Sequence, residues 1–348
     1  MGEKNVRVAG AAGAAGAAGA AVAAAGAPAA PHSRLANPRE TRAVLERFGL
    51  ATKHRLGQNF LVSDHVIGRI LGLAELGPED VVLEVGPGIG TLTVALLPAA
   101  RAVCSIEMDP DLPPVLAETC AQDSEKFALV QADALRAGPA EVAEALAALG
   151  VTADGTGAGE AGTGAEPTKL VSNLPYQVAA TVILCFFQEW GSLERAVVMV
   201  QAEVADRICA APGSRTYGAY TAKLALLARV TGRFEVGPAN FMPPPHVDSA
   251  VVRLDRAPMA DPATGEPLSP ERLAATAEVI DAAFAQRRKT IRNSMSASGF
   301  DKVVLDEAFA ACGIAPTCRA ETLSPADFVR LAAALSRPSQ SSQGEDHV

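Results

Sequence analysis

The chain has 348 residues, a mass of 35.7 kDa, a net charge of -9 and a sequence pI near 5.2. Hydrophobic residues make up 49% of it, which suffices for a sizeable core and excludes a wholly disordered chain. The acidic total argues against a protein that coats nucleic acid without specificity, although a local basic surface stays possible. Because the six cysteines form no CxxC pair, we expect no disulfide framework, no structural zinc site and no metal centre.

The N-terminal stretch is rich in alanine and glycine. Residues 1–36 contain few large apolar side chains, so we expect a low-complexity flexible extension and not a membrane span. Asn37-Pro38-Arg39-Glu40 predicts a capped helix that ends near Gly49. A second helix is expected from about Ser63, because apolar residues recur there at helical spacing.

Short apolar runs then alternate with helical stretches, which predicts a mostly parallel sheet with helices on both faces. The runs are residues 81–85, 102–106, 127–131, 169–172 and 195–200, with a later one at 251–254. The expected organisation is an α/β domain at 37–255 with a Gly- and Ala-rich insertion at 152–166, a proline-rich linker at 256–270, a small helical domain at 271–336 and a disordered tail at 337–348.

The first run leads into a glycine turn, Gly86-Pro87-Gly88-Ile89-Gly90. Glycine lets a backbone approach a ligand closely, and a helix expected from about Thr91 would offer free N–H groups. On its own, this GxGxG spacing is a weak signal for nucleotide binding, and a plain tight turn is the more common meaning.

Two carboxylates follow at the same edge of the predicted sheet. Glu107 ends the next run, 21 residues after Gly86, where a carboxylate can bind a ribose diol. Asp133 follows the third run, and Asp109 is expected to begin a helix. The alternative is that Glu107 and Asp133 are solvated residues at strand ends.

The tetrapeptide Asn173-Leu174-Pro175-Tyr176 follows the fourth run and resembles the motif of methyltransferases that modify an exocyclic amino group of a base. Adenine N6 is a poor nucleophile, so transfer requires in-line geometry and acceptors for the N6 hydrogens. Asn173 Oδ1 and the Leu174 carbonyl are the candidate acceptors. Pro175 would hold the turn, and Tyr176 would stack on an extruded base. An ordinary loop with a core tyrosine is the alternative.

A proline-rich segment, residues 241–249, offers a second aromatic side chain. Phe241 is a candidate to clamp the other face of the base, or else it packs the loop. His246 has no partner in the sequence, so we expect a surface residue there.

The motifs of the chain, in order, are HRLGQNFL (54–61), VLEVGPGIGTLT (82–93), IEMD (106–109), NLPY (173–176), MVQ (199–201), EVADR (203–207), Tyr217-Gly218, FMPPPHVDS (241–249) and FAQRRKTIRNS (284–294). Taken together, they resemble the ribosomal RNA adenine dimethyltransferases of the KsgA/RsmA type. The resemblance covers about residues 40–335. It implies a Rossmann-like, S-adenosylmethionine-dependent methyltransferase domain with a small C-terminal helical domain. The implied reaction dimethylates N6 of two adjacent adenosines in the 3′-terminal hairpin of small-subunit (16S) rRNA during ribosome assembly.

The resemblance also implies which residues contact the methyl donor. They are Asn59, Leu61, Gly86, Glu107, Asp133 and Asn173, to which the glycine turn adds Gly88 and Gly90. Two positions depart from the family's pattern, because Ala132 replaces a glycine and Ala202 replaces a basic residue. These departures affect the shape of one loop and one RNA contact.

Basic segments flank the predicted core. Six basic and two acidic residues lie between Ser33 and Arg55, and a second segment follows at residues 287–292. The candidate RNA-binding residues are Lys53, Arg55, Arg287, Arg288, Lys289 and Arg292. Such clusters suit phosphate contacts, although either one alone is also typical of a solvated helix face.

The sequence therefore predicts a cytoplasmic, monomeric enzyme that acts on small-subunit rRNA or a pre-30S particle and has no membrane partner. Two alternatives stay open. One is a large-subunit rRNA adenine N6-methyltransferase that confers macrolide resistance. The other is a non-catalytic RNA-binding assembly factor on the same fold.

Overall fold

The computed structural model describes residues 32–50, 59–153 and 164–336. Its helices are α1 (Pro38–Arg47), α2 (Asp64–Ala74), α3 (Thr93–Leu96), α4 (Pro113–Thr119), α5 (Pro139–Ala148), α6 (Ala179–Glu189), α7 (Ala202–Ile208), α8 (Ala219–Leu224), α9 (Pro270–Phe284), α10 (Ile291–Ala297), α11 (Lys302–Cys312) and α12 (Pro325–Leu335). Its strands are β1 (Phe60–Leu61), β2 (Val81–Val85), β3 (Ala102–Glu107), β4 (Phe127–Gln131), β5 (Lys169–Asn173), β6 (Arg195–Gln201), β7 (Ala228–Val236), β8 (Phe241–Met242) and β9 (Ser249–Arg256).

Seven strands form one sheet in the order β4-β3-β2-β5-β6-β9-β7. The first five are parallel, and β9 runs antiparallel to both β6 and β7. The predicted α/β class and its mostly parallel sheet are thus confirmed. Because the order reverses between β2 and β5, the carboxyl ends of these strands border a crevice suited to a ligand.

Side chains point alternately to the two faces of the sheet along each strand, and both faces are buried. Val82, Val103 and Val171 pack toward α1–α4, whereas their neighbours Leu83, Cys104 and Leu170 pack toward α5–α9. Helices therefore cover the two faces from separate parts of the chain, and the carboxyl edge between them stays open.

The start of the folded region lies earlier than the predicted boundary at residue 36. The Asn37 side chain accepts hydrogen bonds from the amides of Arg39 and Glu40, which confirms the predicted cap of α1. Ser33 and Leu35, however, are only 2% and 1% exposed. The Ser33 amide also donates to the Asp64 carboxylate at 2.9 Å. Ser33, Leu35 and Ala36 are therefore buried in the folded region, while 1–31 lie outside the described residues.

Helices α9–α12 form the C-terminal part, and α9 packs against α8. The proline-rich segment before them is fastened to the core, because the amides of Ala257 and Met259 donate to the carbonyls of Leu227 and Leu226 at 2.9 Å. Most of the insertion (154–163) and the tail (337–348) lie outside the described residues. In the part of the chain that the structure describes, no helix is both long and apolar enough to cross a membrane.

Candidate active site

One cavity lies at the carboxyl ends of β2, β3 and β5 and brings together most of the predicted site residues. Those that line it are Asn59, Leu61, Gly86, Gly88, Glu107, Asp133, Asn173, Leu174, Pro175 and Tyr176. Gly90 and Phe241 do not line it. Lys53 and Arg55 fall outside the described residues.

Two glycines of the turn adopt backbone conformations that other residues rarely reach. Gly86 has φ +68° and Gly88 has φ +60°. A Cβ on Gly86 would lie 3.1 Å from Pro175 Cγ, and one on Gly88 would lie 3.3 Å from a Phe60 ring carbon. The turn therefore packs against both the NLPY tetrapeptide and the residues after Asn59, and it leaves bare backbone toward the cavity.

Gly90 has a packing role. A Cβ there would lie 2.9 Å from Thr119 Oγ1 and 3.3 Å from Leu116 Cδ2, both on α4. The helix expected from Thr91 also differs, because α3 begins at Thr93 and contains four residues. The two residues just before α3, Thr91 and Leu92, line the cavity together with Gly86 and Gly88.

Glu107 is 8% exposed at the end of β3. Burial raises the pKa of its carboxyl, and hydrogen bonds from the amides of Asp109, Gly88 and Met108 oppose that rise. The amide of Ala132, the first departure from the family's pattern, donates to the Glu107 carbonyl at 3.0 Å and ties the Asp133 loop to β3.

Asp133 and Asp109 behave differently from each other. Asp133 lines the cavity, and its Oδ1 accepts a hydrogen bond from the Leu135 amide at 3.0 Å. Asp109 is 3% exposed and its Oδ1 accepts from the Asp111 amide at 3.1 Å. Asp109 thus orders the turn before α4, in agreement with its predicted role outside the ligand site.

A third carboxylate, Glu84, lines the cavity and was not singled out by spacing or by resemblance. It is 1% exposed, and its Oε2 accepts hydrogen bonds from Thr93 Oγ1 at 2.7 Å and Ser105 Oγ at 2.9 Å. Burial raises its pKa to about 7 despite these two bonds. The available signal was a charged residue inside the fully buried strand VVLEV.

The raised pKa of Glu84 predicts a pH-dependent stability. Its pKa is about 7 in the folded chain against an ordinary 4.5, so its stabilising contribution is full below 4.5 and is lost as pH rises through 7. Glu84→Gln should remove this loss, which amounts to about 3 kcal/mol at most. Urea unfolding at pH 5 and pH 8 should show a smaller pH difference for the variant. Parallel changes in the variant, the parent and an exposed Glu278→Gln control would contradict the assignment.

The tetrapeptide begins where main-chain pairing between β2 and β5 stops. That pairing covers Val82–Lys169 and Leu83–Leu170. Beyond it, the Ser172 hydroxyl donates to the Val85 carbonyl at 2.6 Å and accepts from the Val85 amide at 3.3 Å. This side chain bridges the two strands at the point where the crevice opens.

Asn173 and Leu174 present acceptors at the cavity. Asn173 is the last residue of β5, paired with Met199, and the Leu174 amide donates to the Met199 carbonyl at 3.1 Å. Among the described residues, no hydrogen bond reaches the Asn173 side chain or the Leu174 carbonyl. The Pro175 carbonyl accepts from the amides of Val178 and Ala179 and so begins α6. The turn is thereby held by neighbours while its two candidate acceptors stay available to a ligand.

Phe241 lies in the apolar core and not at the cavity wall. It is 3% exposed, and its backbone pairs with Leu61 in the small β1–β8 sheet. Of its two predicted roles, this structure shows packing, because the β1–β8 pairing turns the ring into the cluster under α1–α4. Through that pairing it supports Leu61, which does line the cavity. His246 is exposed, as predicted.

The second basic segment divides into paired and unpaired residues. Arg292 makes two bonds of 2.6 Å to the Asp306 carboxylate, and Arg287 pairs with Glu321 at 3.1 Å. Within the described residues, Arg288 and Lys289 are exposed and have no ion-pair partner. Of the four cations in this segment, these two are therefore the ones without a carboxylate partner among the described residues.

The cavity suits the S-adenosylmethionine that the resemblance implies. Side chains at Gly86 and Gly88 would meet Pro175 and Phe60, so bare backbone is built into the wall that a ligand approaches. Glu107 supplies a carboxylate at the strand end where a ribose diol is bound in such sheets, and Asp133 adds a second acceptor. The residues present thus match the polar groups of an adenosine-containing donor.

Comparison with known proteins extends over most of the chain. Residues 49–337 match the family described as "Ribosomal RNA adenine dimethylase". A protein of Rhodococcus opacus (strain B4), named "Ribosomal RNA small subunit methyltransferase A", is 41% identical over 86% of this chain and 94% of its own length. A protein of the same name from Thermobifida fusca (strain YX) is 40% identical over 86% of this chain and 96% of its own.

Solved structures agree on the fold. The 23S rRNA methyltransferase ErmE covers 80% of this chain with 26% identity and a TM-score of 0.57. A dimethyladenosine transferase from Plasmodium falciparum covers 78% with 21% identity and a TM-score of 0.60, and it supports the fold alone. Because the matches span the glycine turn, the carboxylates and the tetrapeptide of one cavity, the chain belongs to the ribosomal RNA adenine dimethylase family.

Proposed function

We propose that the protein dimethylates N6 of two adjacent adenosines in the 3′-terminal hairpin of small-subunit rRNA during ribosome assembly. The observation that carries the proposal is one cavity in which Asn173 and Leu174 present unbonded acceptors beside the Gly86 turn and Glu107. Acceptors of this kind suit an amino group with two hydrogens. A donor site beside them suits methyl transfer to it.

In this proposal each residue has a limited task. S-adenosylmethionine supplies, when bound, a methyl group already activated on a positively charged sulfur. Glu107 and the backbone of the glycine turn hold and orient the donor. Asn173 Oδ1 and the Leu174 carbonyl accept the N6 hydrogens, which directs the nitrogen lone pair and stabilises the positive charge that develops on N6. Tyr176 offers a ring face for the extruded base.

The choice of small-subunit rRNA is supported by the relatives at 40% and 41% identity, whose names specify that subunit. The likeness to the 23S rRNA enzyme ErmE is weaker, at 26% identity. The deciding experiment is mass spectrometry of both rRNAs from cells that lack this protein. Loss of dimethyladenosine from the small-subunit rRNA is expected, and loss from large-subunit rRNA alone would establish the alternative substrate.

A non-catalytic assembly factor is the second candidate function. The intact cavity argues against it, because a factor that only binds RNA has no need for Glu107, Asp133 and Asn173 around one pocket. Restoring the deleted cells with an inactive Asn173→Ala variant separates the two functions. Recovery of ribosome assembly without methylation would favour the assembly factor.

We further propose that the protein works as a cytoplasmic monomer on small-subunit rRNA or on a pre-30S particle. The six cysteines lie among the described residues and none of them forms a disulfide there, which suits a reducing compartment. One copy of the chain contains both the donor residues and the acceptors. Light scattering should give the monomer mass, and a comparison of initial rates on free rRNA and on purified particles identifies which of the two is the substrate.

We propose that the helical segment 271–336 binds RNA through Arg288 and Lys289, which have no ion-pair partner within the described residues. Replacing Arg288 and Lys289 together with alanine should reduce the slope of log affinity against log salt by about 1.5. A control with Arg229→Ala, an exposed residue of β7 outside both basic segments, should leave the slope unchanged. An unaltered slope in the double variant would place the phosphate contacts elsewhere.

A further inference from the structure

The proline-rich motif at residues 241–249 ends in a contact with the NLPY tetrapeptide. Tyr176 Oη lies 2.7 Å from Ser249 Oγ, a hydrogen-bond distance for two hydroxyl groups. Ser249 is 0% exposed, and Tyr176 lines the cavity. The motif thus reaches the proposed base-binding site through its last residue, although Phe241 does not.

Ser249 is held more firmly than a loop residue would be. It is the first residue of β9, where it pairs with Gln201 of β6 on one side and with Val236 of β7 on the other. The preceding carbonyl, that of Asp248, accepts a hydrogen bond from the Ala202 amide at 2.9 Å. A strand paired on both sides has little freedom, so the hydroxyl occupies a fixed position.

Tyr176 gains a second point of attachment from this contact. The turn around Pro175 fixes its backbone, but the plane of the ring still depends on two side-chain torsions. The bond to Ser249 fixes the far end of the side chain. Burial raises the pKa of the Tyr176 phenol, so the hydroxyl stays protonated and available for this bond at neutral pH.

We propose that Ser249 is a positioning residue, which sets the plane of the Tyr176 ring against the target adenine. The inference rests on the proposed function, because it assumes that Tyr176 stacks on the base. It assigns the serine of the FMPPPHVDS motif a role in transfer while the same motif's phenylalanine packs the core. A ring held at both ends would present a ready face to the base and would lose less freedom on binding.

The test is a double-mutant cycle on the single-turnover rate of methyl transfer, with saturating donor and a small-subunit rRNA substrate. Ser249→Ala and Tyr176→Phe should each lower the rate by about two- to tenfold, the range for one neutral hydrogen bond. Combining them should cause no further loss, because both remove the same bond. Donor affinity should stay unchanged in all three variants. Independent, multiplicative losses would overturn the inference.

A spectroscopic readout separates positioning from general loss of stability. The chain has three tyrosines, so fluorotyrosine labelling gives three ¹⁹F resonances, and Tyr176→Phe assigns one of them. Ser249→Ala should shift the Tyr176 resonance and leave those of Tyr217 and Tyr220, whose hydroxyls are unpartnered within the described residues. A control variant, Thr276→Val, removes another buried hydroxyl far along the chain and should change neither signal nor rate. An unmoved Tyr176 resonance in Ser249→Ala would contradict the contact.

Tyr176→Ala distinguishes the two levels of the proposal. It removes the stacking face, so it should cost far more than Tyr176→Phe if the ring binds the base. A normal rate of methyl transfer in Tyr176→Ala would contradict the proposed stacking role of Tyr176 itself. A large loss in Tyr176→Ala together with a normal rate in Ser249→Ala would overturn only the positioning role of Ser249.

Discussion

Replacing Asn173 with alanine is expected to slow methyl transfer by about a hundred- to a thousandfold, the usual cost of removing one preorganised group that stabilises developing charge. The side chain lines the cavity at the end of β5 and has no hydrogen-bond partner within the described residues. Removing it should therefore leave the fold intact and delete only an acceptor for the N6 hydrogens.

The measurement is the single-turnover rate on small-subunit rRNA with saturating donor. RNA affinity should change by no more than a few-fold, because the phosphate contacts that we propose for Arg288 and Lys289 are untouched. The unfolding midpoint should also stay within the error of the parent. A variant with normal turnover would remove the catalytic assignment of Asn173 and would favour the Leu174 carbonyl as sufficient.

Replacing Glu107 with alanine is expected to weaken donor binding by about ten- to a hundredfold, the range for hydrogen bonds that involve a charged group. Glu107 is buried at the end of β3, and its carboxylate also organises the backbone at Gly88 and Asp109. Part of the loss should therefore come from the glycine turn, whose conformation depends on this carboxylate.

Titration calorimetry with S-adenosylmethionine measures this effect directly. Glu278→Ala, an exposed carboxylate on α9, is the matched control and should bind the donor like the parent. The donor affinity of Glu107→Gln should lie between those of Glu107→Ala and the parent, because glutamine keeps an acceptor oxygen but loses the charge. Equal affinity for Glu107→Ala and the parent would show that the donor binds elsewhere.

The strands that carry the site could be predicted because they are fully buried. Runs such as VVLEV and AVCSIE are predominantly apolar, and the structure changes the predicted ends of the runs by at most two residues. Strand β7 could not be predicted in this way, because exposed charged or polar residues alternate along it with less exposed ones. Its pairing with β9 is also irregular between Val230 and Gly232. An edge strand of this kind lacks the apolar signal of a central one.

The site residues could be predicted only in part, for a similar reason. Glu107 and Asn173 could be predicted because each is the last residue of a strand that the apolar runs indicate. Ser249 and Glu84 act through contacts with residues 73 and 9 positions away, and no periodicity reports such pairs. Gly90 was assigned to the ligand with its neighbours, but its space is taken by α4, which only the packing reveals.

The contacts of the glycine turn restrict which substitutions it and the neighbouring motifs can accept. Gly86 leaves room for Pro175, and Gly88 leaves room for Phe60, so neither glycine can gain a side chain without pressing on a neighbouring motif. Changes in these sequences are therefore constrained jointly, and an alteration in one is tolerated only where its neighbour shrinks or shifts. A design that changes the glycine turn to accept another donor must therefore also change the NLPY tetrapeptide that packs against it.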